Sequence, residues 1–262
     1  MMQRTPIEAK LSDFPADFHR FLRDARLYDS SCSKQATVYY IEKSEGFFLK
    51  TAPRGTLRNE AELTAQYHKL GFATEVLNYF SEEKDWLLTK SVPGEDCLHP
   101  QYLDDPKRLS ALMGQLLRRL HETDAGGLSV RDHTAQYAAT ARRNYHAGNY
   151  DAGLFPDNWG YRSPEEAWAI VERISPLLKS DTLLHGDYCL PNIILSDWQF
   201  SGFIDLDSAG LGDRHIDLFW GIWSLDFNLK TDVWTDRFLD AYGRDRIDNE
   251  ILSSIGAFEV FA

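Results

Sequence analysis

The chain has 262 residues, enough for two compact domains or one large one, and its 43% hydrophobic and 26% charged content is that of an ordinary soluble globular protein. Its 28 Lys and Arg stand against 40 Asp and Glu, a net charge of −12, and no Lys/Arg-rich run occurs, so a nucleic-acid partner is not expected. No apolar stretch reaches the ~18 residues of a membrane span, the N-terminal residues lack an apolar signal core, and the three cysteines, Cys32, Cys97 and Cys189, are far apart. That odd, scattered set argues against a disulfide framework or a CxxC metal site; a cytoplasmic location without membrane association is expected.

In chain order, residues 13–27 place Phe14, Phe18, Phe21 and Leu22 on one face of a predicted helix. A small-residue loop, "DSSCSKQAT", precedes a predicted β-hairpin over 36–51 with "KSEG" as its turn. Glu60, Leu63, Tyr67 and Leu70 then follow a helical spacing, and "EVLNYF" and "DWLLTK" read as two further strands. Beyond Pro93 the pattern becomes helical. Leu109, Leu112, Met113, Leu116, Leu117 and Leu120 form one stripe, with Asp104 or Asp105 as cap, Pro106 in the first turn, and Gly126 and Gly127 as the predicted stop. Helices are also predicted from Ser163-Pro164 and through "DLFWGIWSL", whose Trp220 and Trp223 suggest burial; "NIILSDWQFSGFIDLD" reads as a hairpin turning at "SDWQ".

The segment "LLHGDYCLPNIIL", 183–195, interrupts an apolar run with polar residues. Asp187 and Asn192 are five positions apart, and Asp205 follows the next strand. Phosphoryl-transfer loops of the H-R-D-x-x-x-x-N type use this interval. One carboxylate accepts the attacking hydroxyl's proton, while an amide oxygen and a second carboxylate suit Mg²⁺, which takes oxygen ligands. A turn residue and a loop cap would account for Asp187 and Asn192 equally well by themselves. Lys50, ending a strand, and Glu60, ten residues on in a helix, favour the phosphoryl-transfer reading, because that chemistry needs a phosphate-binding lysine held by an acid. An edge-strand charge and an exposed helix residue are the competing accounts of that pair.

The segment from "HGDYCLPN" through "GFID" to "GLGDRHID" resembles the aminoglycoside phosphotransferase family, and within it the kanamycin-kinase (3′-phosphotransferase) type; "LRNEAEL", "WLLTKSVPGED" and "DRFLDAYG" add to the likeness, which runs from about Ser31 to the C-terminus. The resemblance implies an α+β, two-lobed protein-kinase-like fold. Residues 1–92 would be a small strand-rich nucleotide-binding lobe, with a hinge at about 89–94, and residues 93–262 a larger, mostly helical catalytic and acceptor-binding lobe. It implies an ATP- and Mg²⁺-dependent kinase, with GTP as an alternative donor, that phosphorylates the 3′ hydroxyl of an aminoglycoside and so gives antibiotic resistance. A kinase for choline, fructosamine or a macrolide and a silent nucleotide-binding relative are the alternatives. By position Asp187 would be the base and Asn192 and Asp205 the metal ligands. Lys50 would bind phosphate with Glu60 as partner, Ser31 and Ser33 would lie in the flap over the phosphates, and Lys90 and Val92 would offer main-chain groups to the base. Asp217 would brace the catalytic loop. Asp157, Asp226 and Glu259 would collect the ammonium groups of a small cationic substrate, and a monomer or weak dimer is expected. Two departures from the family pattern stand out: Leu206-Asp207-Ser208 follows GFID, where the family has a residue and then Gly-Arg, and Ala262 follows Phe261 at the end.

Overall fold

The computed structural model describes residues 4–32, 35–151 and 161–262. In chain order its elements are β1 (Thr5–Ile7), α1 (His19–Leu22), β2 (Arg26–Asp29), β3 (Thr37–Glu42), β4 (Phe47–Pro53), α2 (Arg58–Lys69), β5 (Val76–Ser81), β6 (Lys84–Lys90), β7 (Glu95–Asp96), α3 (Pro100–Leu103), α4 (Pro106–His121) and α5 (His133–Ala147). There follow α6 (Pro164–Ile174), β8 (Thr182–Leu184), β9 (Ile193–Ser196), β10 (Gln199–Phe203), β11 (Gly210–Gly212), α7 (Arg214–Leu229), α8 (Thr235–Tyr242) and α9 (Asn249–Glu259). They divide into two compact units, one of residues 1–100 with 191–207 and the other of residues 101–190 with 208–262. The division is thus not a single cut near residue 92, because the 193–203 hairpin belongs with the first unit. There β9 pairs with β7, and the Phe203 amide donates to the Phe72 carbonyl at 2.7 Å. The boundary crosses the segment of interest, leaving Asp187 in the second unit and Asn192 in the first.

The first unit is built on a six-stranded sheet in the order β1-β2-β3-β4-β6-β5, every pairing antiparallel. The predicted 36–51 hairpin forms with Ile41 opposite Phe47. The long helix predicted over 13–27 does not. Two short 3₁₀ turns, Leu11–Asp13 and Ala16–Phe18, lead into the single turn of α1, and Arg26–Asp29 is a strand. Pro15 offers no amide to a helix, and Asp24 turns the chain through a left-handed conformation at φ 61°. The aromatic spacing still serves burial, since Phe14, Phe18 and Leu22 sink against Ile41, Leu49 and Leu88 of the sheet. In the hairpin of β9 and β10, Asp197 and Trp198 take φ of 48° and 67°, the two left-handed positions a two-residue turn requires.

In the second unit, α4 begins as predicted, with the Asp105 carboxylate accepting from the Arg108 amide at 3.1 Å. It ends at His121, ahead of Gly126 and Gly127, and a turn closed by the Leu128 amide on the Ala125 carbonyl holds those glycines. Helix α4 packs on α8 at Gly114, where any Cβ would collide with the Phe238 carbonyl. A second core joins α6, α7 and α9 around Trp168, Ile216, Ile255 and Phe258. Strands β8 and β11 pair antiparallel beside it, carrying the start of the HGD segment. Among the described residues no helix is long and apolar enough to cross a membrane.

Candidate active site

In the first unit, Lys50 on β4 lies between two carboxylates: its Nζ is 2.8 Å from Glu60 Oε2 on α2 and 3.0 Å from Asp205 Oδ1 beyond β10. Burial by itself would lower the Lys50 pKa, but Glu60 and Asp205 outweigh it and hold the ammonium above its usual range. The Glu60 carboxyl is raised by its own burial, with Lys50 opposing and the charges of Asp205 and Asp207 adding to the rise. Lys50 therefore stays charged while two acids compete for it. Helix α2 is itself anchored from the sheet. Buried Asp85 of β6 accepts the Leu57 amide at 2.9 Å and the Ser81 hydroxyl at 2.6 Å, and these bonds keep its carboxyl ionised below the usual range despite burial. Asp85 escaped notice in the sequence because nothing local marks it.

Asn192 and Asp205 stand at one end of the β9–β10 hairpin. Ile193 pairs with Phe203, and the Ile204 amide donates to the Asn192 carbonyl at 3.1 Å. Asp205 adopts φ 60°, and its side chain is half exposed at 52% while that of Lys50 is mostly covered. These are oxygen donors of the kind Mg²⁺ takes, and a site with one carboxylate and one amide suits an ion that keeps most of its shell for water and phosphate. Lys50 engages only Oδ1 of Asp205. Among the described residues no group of three or more His, Cys, Asp or Glu could hold a metal by itself. The residue that departs from the family pattern, Asp207, has a local use: Asn59 on α2 donates to its carbonyl at 2.6 Å and to its carboxylate at 3.1 Å.

Of the residues expected to contact a nucleotide, Ser31 and Lys90 are bonded within the first unit. The Ser31 hydroxyl accepts the Val38 amide at 3.0 Å, and its amide donates to Asp29, so Ser31 closes its own loop. Ser33 lies outside the described residues. Both main-chain groups of Lys90 are engaged within the unit: the amide donates to the Glu75 carbonyl at 3.0 Å, and the carbonyl accepts the Thr74 hydroxyl at 2.7 Å. The Ser91 amide is taken by the Gly46 carbonyl. Val92 is buried beneath Gly202.

In the second unit, fully buried Asp217 on α7 accepts the His185 amide at 2.7 Å and the Gly186 amide at 2.8 Å, bracing the segment that leads into Asp187. Gly186 sits at φ 84° with the Ser208 carbonyl against it, so any Cβ there would clash. His121 Nε2 lies 3.1 Å from Asp217, and the Tyr242 hydroxyl 2.8 Å from His121 Nδ1. Burial disfavours charge on both. For His121 it wins and lowers the pKa; for Asp217 the bonds from His121 and the backbone win and keep the carboxyl ionised. A neutral imidazole donating from Nε2 and accepting from the Tyr242 O–H satisfies both directions. The Leu190 amide donates to Ser224 Oγ at 2.9 Å and the Tyr188 hydroxyl to the Met113 carbonyl at 2.8 Å, so the loop is pinned after half-buried Asp187 as the Asp217 bonds pin it before.

Glu259, at the end of α9, is buried. Tyr137 donates to it at 2.5 Å, and the Trp220 indole donates as well. Burial, with a contribution from the charge of Asp187, raises its carboxyl to about 7 against those two hydrogen bonds. Asp226 on α7 accepts the Thr235 hydroxyl at 3.2 Å and is raised by partial burial. Asp157 lies outside the described residues.

The phosphotransferase enzyme family matches residues 33–250, a span that holds Lys50, Glu60, Asp187, Asn192 and Asp205 together. The chain belongs to this family. It is 47% identical over 256 residues to a probable aminoglycoside 3′-phosphotransferase of Lactococcus lactis subsp. lactis (strain IL1403), covering 97% of each chain. An aminoglycoside 3′-phosphotransferase of Niallia circulans is 30% identical over 220 residues, 81% of this chain and 83% of that one. Among solved structures, an aminoglycoside-3′-phosphotransferase of type VIII superposes with a TM-score of 0.71 at 22% identity, covering 96% of both chains. An aminoglycoside phosphotransferase of Streptomyces rimosus in complex with ADP and streptomycin does so at 0.68 and 21%, over 85% of this chain and 90% of that one. The fold is the protein-kinase-like α+β fold of these family members, strand-rich at the N-terminus and helical at the C-terminus.

Proposed function

We propose that this enzyme transfers the γ-phosphoryl group of ATP to the 3′ hydroxyl of an aminoglycoside and so protects the cell from the antibiotic. The observation that carries the reading is Lys50 held between Glu60 and Asp205, at 2.8 and 3.0 Å. A surface lysine would not be clamped by a buried acid from a helix; a phosphate-binding lysine needs that restraint to be aimed. The names of the relatives supply the acceptor class.

The Asp187 carboxylate takes the proton of the acceptor hydroxyl as its oxygen meets the γ-phosphorus. The bond from that phosphorus to the bridging oxygen breaks, ADP leaves with the electron pair, and the product is a phosphomonoester. Asp217 has a positioning role, fixing the backbone from which Asp187 projects. Lys50 binds phosphate oxygens, the Ser31 hydroxyl adds a donor, and Asn192 and Asp205 would hold Mg²⁺. When bound, the ion neutralises the phosphate charge. For the base, main-chain groups of Lys90 and Val92 serve, the Lys90 carbonyl keeping a second lone pair beside its bond from Thr74. Asp226 and Glu259 pair with substrate ammonium groups. Cytoplasmic location and a monomer or weak dimer complete the reading. A coupled assay of ADP release over aminoglycosides, choline and simple sugars tests it: turnover of kanamycin-type acceptors is expected, and turnover of choline or sugars alone would overturn it.

A further inference from the structure

Helix α7 carries aromatic rings that run outward from the second unit's core. Phe219 and Trp220 pack on that core. Trp223 meets Trp220 edge-on at 5.4 Å, and Phe227 stacks on Trp223 at 5.0 Å with the planes 11° apart. Trp223 is partly exposed, and Phe227 is 53% exposed. The inner end of the ladder touches the acceptor site of the proposed reaction, since the Trp220 indole donates to Glu259, whose carboxyl feels the charge of Asp187. Carboxylates also flank the outer end. Asp226 lies on α7 one turn beyond Trp223, and exposed Asp232 is close enough to raise it. A cation already rests there: the Lys230 ammonium stands 4.1 Å over the centre of the Phe227 ring.

A partly exposed indole stacked with an exposed phenyl in an acidic surround has a definite chemical complement. An aminosugar ring presents a flat C–H face to an aromatic plane and ammonium groups to the ring face and to carboxylates. An apolar peptide would leave Asp226 with only the neutral Thr235 hydroxyl and no counter-charge, and an anionic ligand would be repelled. We infer that Trp223 and Phe227, with Asp226, form a subsite for the aminoglycoside ring farthest from the phosphorylated one. The substrate's ammonium would take the place Lys230 holds over Phe227. This rests on the proposed acceptor class and adds a selectivity element that the phosphoryl-transfer residues do not provide.

The test compares wild type with Trp223→Ala, Phe227→Ala and the conservative Trp223→Phe. The reading is the ratio of kcat/KM for a three-ring acceptor, kanamycin, to that for a two-ring acceptor, neamine. Each alanine variant is expected to lower the ratio roughly tenfold, through the KM for kanamycin, the loss of one stacked ring. Trp223→Phe is expected to retain most of the wild-type preference, and the KM for ATP should not move. Ratios equal to wild type in both alanine variants would overturn the subsite and leave the phosphotransferase reading standing. So would an equal fall for both acceptors carried by kcat, the mark of general damage. Absence of turnover of either acceptor by wild type would overturn both readings.

Discussion

The ion pair of the first unit and the hydrogen-bonded acid of the second are built on opposite plans. Lys50 is shared between buried Glu60 and half-exposed Asp205, and the carboxylates do not both get full use of it. Asp217 is fully buried, and its oxygens are met by two backbone amides and His121. The difference follows from what each must do. A group that grips a phosphate has to keep some of its bonding capacity for the ligand and some exposure to reach it. A group that only fixes a backbone is best saturated and dry, because any unmet bond there costs the full desolvation of the group.

The contrast is broken most severely at Asp217. Asp217→Ala strands two amides and an imidazole in the interior, and a loss of about 3–5 kcal/mol in unfolding free energy is expected, measured by urea denaturation. A loss under about 1 kcal/mol would mean that the brace is not structural. Asp187→Asn tests the same loop at its half-exposed residue. Turnover should fall at least ~100-fold while unfolding free energy and ATP affinity stay near wild type; near-normal turnover would remove Asp187 from the mechanism.

Glu259 offers an intermediate case, buried yet given only two neutral donors. Its carboxyl is raised from 4.5 to about 7, so between those values the folded chain holds a proton that the unfolded chain has released. Its contribution to stability is therefore unimpaired below about pH 4.5, declines as pH rises to about 7, and is flat above that. The rise corresponds to about 3 kcal/mol. Glu259→Gln, which keeps an acceptor for Tyr137 and Trp220, should remove most of that decline and be the more stable protein at pH 8; parallel pH profiles for the two proteins would contradict the assignment. The smallest effect is expected at the Lys50–Glu60 pair. Glu60→Gln leaves Lys50 an acceptor and its bond to Asp205, so the KM for ATP should rise about tenfold with thermal stability little changed. A large drop in stability instead would place Glu60 with Asp217 as a purely structural acid.

Much of this arrangement can be read from the chain in one dimension. A strand carrying Lys50, a helix that presents Glu60 ten residues later, and a hairpin flanked by Asn192 and Asp205 are set by local periodicity and turn chemistry. Their consequences in space follow from the geometry of a strand and a helix. The apolar stripe from Leu109 to Leu120 and the Asp197-Trp198 turn are local in the same sense. What lay beyond the sequence depends on partners far along the chain. Tyr137 is 122 residues from Glu259, and nothing near Glu259 signals that the carboxylate will be buried. His121 is 96 residues from Asp217 and looks like an ordinary residue of the last turn of α4. The Lys90 amide and carbonyl bond Glu75 and Thr74, partners that nothing in the residues around Lys90 announces. The aromatic spacing from Phe14 to Leu22 correctly marked a buried face but not a helix, because Pro15, the turn at Asp24 and the open edge of β3 together made a strand at Arg26–Asp29 the better use of that backbone. The sequence by itself determined which residues are the candidates for the chemistry, since those choices are made by residue type and short spacing. Only the tertiary structure decided how each acid is charged and what it is for, because burial and distant hydrogen-bond partners set those properties.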